Sequence, residues 1–234
     1  MKQFLVFIAI LLHCNLYAQD FNVEEYLQKG LAAYQNAQYE EAIHYLTPCE
    51  DFFSQFSDST FKSYDATLLS FVAMAHSSLK NHKKALVYET KASIVLKSLY
   101  GEKHPEYANS LSNLAYYYSD LNDYNKAIEI GIKATNILKY VFGEDHPKYA
   151  NSLETLALSY SNSGDYNTAI EIEIQAMNIR KQVLGEKHPE YANSLGTLAL
   201  FYYKLGDYSK ALEIETQAMN IQKQVLGFSP STCF

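Results

Sequence analysis

Three histidines recur at one fixed interval, His104, His146 and His188, and three glutamates do the same, Glu129, Glu171 and Glu213. A histidine column suggests a metal, and paired carboxylates suggest acid–base work. Spacing decides against both if these residues stand on a stacked helical array. Zinc needs ligands near 2.1 Å, whereas equivalent residues of packed helices lie roughly 10 Å apart, so the column cannot close on one ion. Histidine capping or packing at the turn before a proline is the better reading. Acid–base carboxylates have to lie within about 10 Å of each other in a cleft, and the glutamates read instead as a solvated face. No Gly-rich phosphate loop, Cys-x-x-Cys pair or Gly-x-Ser-x-Gly elbow occurs. The expectation is a chain that is not an enzyme and uses no metal and no cofactor.

Composition narrows the class of partner. The 234 residues are 48% hydrophobic and 19% charged, enough apolar material for a substantial core. Their 26 acids against 19 bases give a net charge of −7, which becomes −8 if Lys2 is lost with a leader. Such a chain lacks the basic stripe that neutralises phosphates, which argues against nucleic acid and anionic membrane surfaces as partners. With 21 Tyr and 12 Phe but only 9 Gly and 5 Pro, long helices are favoured over a turn-rich β fold. Three cysteines, Cys14, Cys49 and Cys233, are too few for a disulfide framework.

Residues 1–18 have the layout of a secretory signal peptide: Lys2, an apolar stretch from Phe4 to Leu12, and a polar break closing on Ala18. The apolar run is too short to span roughly 30 Å of hydrocarbon, and no later run reaches that length. Export to a periplasm or the outside is expected, with cleavage after Ala18. A lipid-modified Cys14 is disfavoured by the bulky His13 before it.

The elements that carry these residues follow from a period of 42. Segments 101–142, 143–184 and 185–226 align without a gap, and the last two agree at 30 of 42 positions. Each opens on one phrase, Gly101-Glu-Lys-His-Pro-Glu-Tyr-Ala108, and its counterparts begin at Gly143 and Gly185. A worn copy spans 59–100, with Ala66, Leu69, Val72, Ala73, Ala85, Ala92 and Val95 in register. A more divergent one spans 23–58, with Gly30, Tyr39, Ala42 and Leu46, and residues 227–234 form an uncapped tail. Within a unit, Ala108, Leu111, Leu114, Ala115 and Tyr118 predict a first helix, called A. Ala127, Ile130, Ala134, Ile137 and Val141 predict a second, called B. Gly143 is expected as a left-handed cap, and Pro147 at the start of the next helix. Small residues face each other across the pair at Ala115 and Ala127, at Ala157 and Ala169, and at Ala199 and Ala211. Most tyrosines, including Tyr118, Tyr160, Tyr202, Tyr124, Tyr166 and Tyr208, are expected to fill space between helices.

Asn-Leu-Ala-x-x-Tyr (Asn113 to Tyr118), then Asp-Tyr-x-x-Ala (Asp123 to Ala127), with Ala134 seven residues on, resembles the tetratricopeptide repeat. The longer period with Gly-x-x-His-Pro-x-x-Ala between units is similar to the kinesin light chain type of that family. The resemblance implies an all-α, right-handed solenoid of antiparallel helix pairs whose concave face, lined mainly by A helices, holds peptide segments of other proteins. It places that groove at Asn109, Ser112, Tyr116, Ser119 and Asp120, at Asn151, Glu154, Leu158, Ser161 and Asn162, and at Asn193, Gly196, Leu200, Tyr203 and Lys204. Asn113 borders the row, with Thr155 and Thr197 in its place later. An Asn amide donates to one backbone group and accepts from another, so an Asn ladder suits an extended peptide. A first-turn hydrogen bond inside the solenoid accounts equally for Asn109, Asn151 and Asn193. The basic clamp that some relatives use for a terminal carboxylate is missing.

The function expected is a non-catalytic scaffold that binds partner peptides in this groove. The alternative is that the chain is the sensory or assembly arm of a larger signalling or effector protein. Self-association is expected through the C-terminal end, where Ile214, Ala218, Ile221 and Val225 should be partly exposed for want of a polar capping helix.

Overall fold

Apolar residues at steps of three and four let a helix bury one face, and in this chain the pattern restarts after every short turn. The computed structural model describes residues 22–225, and the backbone alone at Val225. The leader with Cys14, and the tail with Gly227 and Cys233, lie outside the described residues. Those residues form ten helices and no strand: α1 (Val23–Gln35), α2 (Tyr39–Phe53), α3 (Ser59–Ser78), α4 (His82–Tyr100), α5 (Pro105–Asp120), α6 (Tyr124–Phe142), α7 (Pro147–Ser163), α8 (Tyr166–Leu184), α9 (Pro189–Leu205) and α10 (Tyr208–Val225). This is an all-α helical-repeat solenoid. It divides into two compact units, 1–99 and 100–234, each described by itself.

In the first unit, α1, α2 and α3 enclose Val23, Leu27, Leu46, Cys49, Phe53, Leu68 and Val72, and the Cys49 thiol in that core donates to the Tyr45 carbonyl at 3.3 Å. Ala42, Leu69, Ala73, Ala85 and Ala92, all expected on the packing stripes, are hidden. Ser70 donates to the buried carboxylate of Glu89 at 3.3 Å, and His76 stacks on Tyr88. Asp65 is pushed up to about 6 by burial and by the neighbouring Glu50, against the pull of Lys91, which pairs with Glu50 at 3.2 Å.

In the second unit, α5, α7 and α9 are A helices and α6, α8 and α10 are their B partners. Each A helix begins at a proline, and the ring of the histidine before it accepts from a backbone N–H through Nδ1: His104 from Glu106 at 3.2 Å, His146 from Lys148 at 3.1 Å, His188 from Glu190 at 3.2 Å. The histidine column is therefore a set of N-caps, which satisfy donors that a helix start leaves orphaned. His104 also stacks on Tyr100, and His146 on Phe142, at 4.4 Å. Asp123, Asp165 and Asp207 cap the B helices in the same way. The alanine pairs are buried, and the core between α8, α9 and α10 gathers around Ile170, Leu195, Leu198 and Phe201.

Several expectations are corrected. Gly143 has positive φ but an extended ψ of 173°, so it is not a left-handed helical cap; those caps are Gly164 and Gly206, at the A-to-B turns. Val141, expected on the packing stripe of α6, is exposed near the end of that helix. Tyr208 is exposed as well, its ring edge-to-face with Tyr203 rather than between helices. Ile214 and Ala218 are buried, since that stripe of α10 faces its own partner α9, and Ile221 is half-buried. The side chain of Val225 lies outside the described residues.

The A-to-B turn makes a stability prediction. Lys80, Asn122, Gly164 and Gly206 share one register position, and all have positive φ. A side chain in that region costs roughly 1–2 kcal/mol, offset in part by glycine's extra freedom when unfolded. No atom lies within 4 Å of a Cβ added at Gly164, so Gly164→Ala should lower stability by about 1 kcal/mol through conformation alone. Lys80→Gly should raise it. Urea unfolding of both variants checks the opposite signs.

Candidate functional site

The A-helix face of residues 100–225 is the candidate surface. A helices of successive pairs touch, α5 with α7 directly. Side chains one repeat apart join them: Asn162 donates to Ser119 at 3.0 Å, Lys204 to Ser161 at 3.3 Å, and Thr197 to Glu154 at 3.5 Å. A polar rail thus runs along the face. Ser119 and Ser161 are buried beneath it, while Asn162 and Lys204 stay exposed.

Beside the rail runs an apolar ladder. Tyr116 and Leu200 are exposed, Leu158 between them is half-buried against the core, and Tyr203 is exposed at the far end. Tyr116 hydrogen-bonds Asp120; its hydroxyl is pushed up first by burial and then by that carboxylate. Among the remaining expected residues, Ser112 is turned back onto its own helix, donating to the Ala108 carbonyl at 3.2 Å. Asn109 and Asn113 are half-buried, and Asn193 is exposed.

Asn151 and Glu154 belong to a network that the sequence reading missed. Arg180, the chain's single arginine, lies buried on α8 and reaches between α7 and α9. Its guanidinium donates to Asn151 Oδ1 at 2.8 Å, to Glu154 Oε2 and to the Ser194 hydroxyl. Asn151 therefore serves the solenoid interior through its carbonyl oxygen. Glu173, wholly buried, stands 3.9 Å from Arg180. Its carboxyl is pushed up to about 8, first by burial and then by Glu154, while Arg180 and Ser194 pull it down. The signal was present in the repeat register: Arg180 occupies the place of Leu138 and Gln222, and Glu173 that of Gly131 and Glu215. At Gly131 an added Cβ would meet Leu156 at 3.1 Å, so in that unit an apolar side chain fills the space.

This arrangement puts exposed apolar side chains next to hydrogen-bonding groups on one face. Among the described residues no group of three His, Cys, Asp or Glu is placed to hold a metal ion. Glu129, Glu171 and Glu213 are exposed, Glu129 pairing with Lys126 at 2.9 Å. No helix among the described residues is long and apolar enough to cross a membrane.

Glu173 sets a pH dependence. Its ordinary value is 4.5, and the fold holds it near 8. Between these values the folded chain keeps a proton that the unfolded chain has released, so stability falls as pH rises from about 4.5 through about 8, by at most about 1.4 kcal/mol per pH unit. Glu173→Gln should remove this slope, and its advantage over the wild type in urea midpoint should grow from pH 5 to pH 8. A constant difference would mean that the carboxyl is ionised throughout.

The tetratricopeptide-repeat family model matches residues 64–139 and 150–224, more than half of the chain. Solved structures of similar fold include BtubC (BKLC) from P. vanneervenii, with a TM-score of 0.72 at 18% identity, covering 88% of this chain and 81% of that one. A proposed kinesin light chain of Podosopora anserina with nearly identical TPR-like repeats has a TM-score of 0.70 at 21% identity, covering 87% and 96%. A Rap protein complexed with competence and sporulation factor has a TM-score of 0.70 at 18% identity, covering 85% of this chain and 53% of that one. Comparison with curated proteins finds no match. The histidine–proline phrase, the 42-residue pairs and the family match agree: the chain belongs to the tetratricopeptide-repeat family, a fold that serves as a protein-interaction scaffold.

Proposed function

We propose that this chain is a non-catalytic interaction module that holds peptide segments of partner proteins on the A-helix face of residues 100–225. The observation that carries the reading is the exposed ladder of Tyr116, Leu200 and Tyr203 beside a rail of hydrogen-bonded polar side chains. Large apolar side chains left exposed in register are anchors in search of cover. The rail also carries a charge gradient from Asp120 through Asn162 to Lys204, which would orient a peptide with a basic end and an acidic end. A Rap protein of similar fold in complex with competence and sporulation factor supports the reading by analogy. The reading of the chain as an arm of a larger protein keeps this same face as its working surface.

A second contact is favoured by α10. Leu212 is 70% exposed, whereas Ile170, at the same position of α8, is 7% exposed under α9. Met219 is exposed beside Leu212, and this stripe, rather than Ile214 and Ala218, would carry self-association.

Export through the leader is part of the proposal. N-terminal sequencing of protein from its native host should find Gln19 at or next to the first residue, and retention of Met1 would sink it. Affinity capture with the mature chain should return a partner whose binding weakens by about 1 kcal/mol or more per anchor on replacing Tyr116, Leu200 or Tyr203 with Ala, with helix content unchanged. An unaltered dissociation constant in the triple variant would remove this face from the function.

A further inference from the structure

An open hollow of about 360 Å³ lies on α6, away from the A-helix face, and it is built differently from the corresponding surface of the later units. Ile132, Lys133, Asn136, Ile137 and Tyr140 follow one another at steps of one helical turn or less, and Lys103 reaches in from the turn ahead of α5. Lys103 Nζ stands 5.0 Å from the centre of the Tyr140 ring. Lys133 Nζ stands 5.5 Å from that of Tyr107 and 3.5 Å from its hydroxyl oxygen. An aromatic face attracts an ammonium at this range, so each ring restrains a cation that would otherwise move freely on its long stem. Glu129, the acid in the lining, is paired with Lys126. The hollow therefore presents two held cations above an apolar floor, in a chain whose net charge is −7.

The repeats provide an internal control. Ile132, Asn136 and Ile137 correspond to Ile174, Asn178 and Ile179 one unit on, unchanged in type. The trio Lys103, Lys133 and Tyr140 becomes Asp145, Gln175 and Gln182, and then Lys187, Gln217 and Gln224. All three side chains of the trio are exposed, so packing of the solenoid does not require them. The cations and the ring come together in one unit alone.

We propose that this hollow binds a small amphiphilic anion, its apolar body against Ile132, Ile137 and Tyr140 and its carboxylate or sulfonate held by Lys103 and Lys133. The volume is within the range of small-ligand pockets, and the site works independently of the peptide-binding reading. The probe is 8-anilinonaphthalene-1-sulfonate, an aryl body with one anionic group, titrated by fluorescence into the full chain. The variant Lys103→Asp/Lys133→Gln/Tyr140→Gln uses only residues that the next unit already carries at these positions, and circular dichroism verifies that its helix content is kept. The expected result is one saturable site, at least tenfold weaker in the variant, displaced by 4-phenylbutyrate at concentrations at least tenfold lower than by uncharged 4-phenylbutanol. Equal binding of the probe to both proteins, or equal displacement by acid and alcohol, overturns the proposal.

Discussion

Close approach of two helices at paired alanines is the constraint on which the second unit depends. Ala115 and Ala127, Ala157 and Ala169, and Ala199 and Ala211 are buried in every pair. A larger side chain at either member would force the helices apart and empty the core around them, a change that close-packed interiors resist. Once the distance within a pair is set, the caps have to close each helix in the same place. His-Pro starts the A helices and Asp starts the B helices at constant register, and the positive-φ residue between them turns the chain without lengthening it. Identical pairs then stack, and equivalent side chains line up in columns whose purpose differs from column to column.

Buried polar groups are handled unequally across those columns. One interface is closed by Gly131, Leu138 and Leu156, the next by Glu173, Arg180, Glu154 and Ser194. A buried ion network is no more stabilising than a good apolar contact, because desolvation offsets the attraction. What it changes here is the surface above it. Arg180 holds Asn151 and Glu154 in fixed positions at the edge of the A-helix face, where unrestrained side chains would lose entropy on meeting a ligand. Local interior chemistry thereby shapes the exterior on which a partner would be read.

The sequence by itself determined the helix pairs, their register, the histidine caps and the alanine contacts, because each follows from residues close in the chain with a strict repeat. The resemblance to the repeat family, rather than the periodicity, put Tyr116, Leu200 and Tyr203 on one face of the A helices, and all three are exposed. Tertiary structure alone decided which polar residues spend their hydrogen bonds inside: Asn151 is 29 residues from Arg180, and Ser119 is 43 from Asn162. It decided too that Ile214 faces its partner α9 while Leu212 faces outward, and that Lys103 and Tyr140 meet across the hollow on α6. These contacts join elements well separated along the chain, and their geometry depends on how the pairs stack, which no local pattern of residue types encodes.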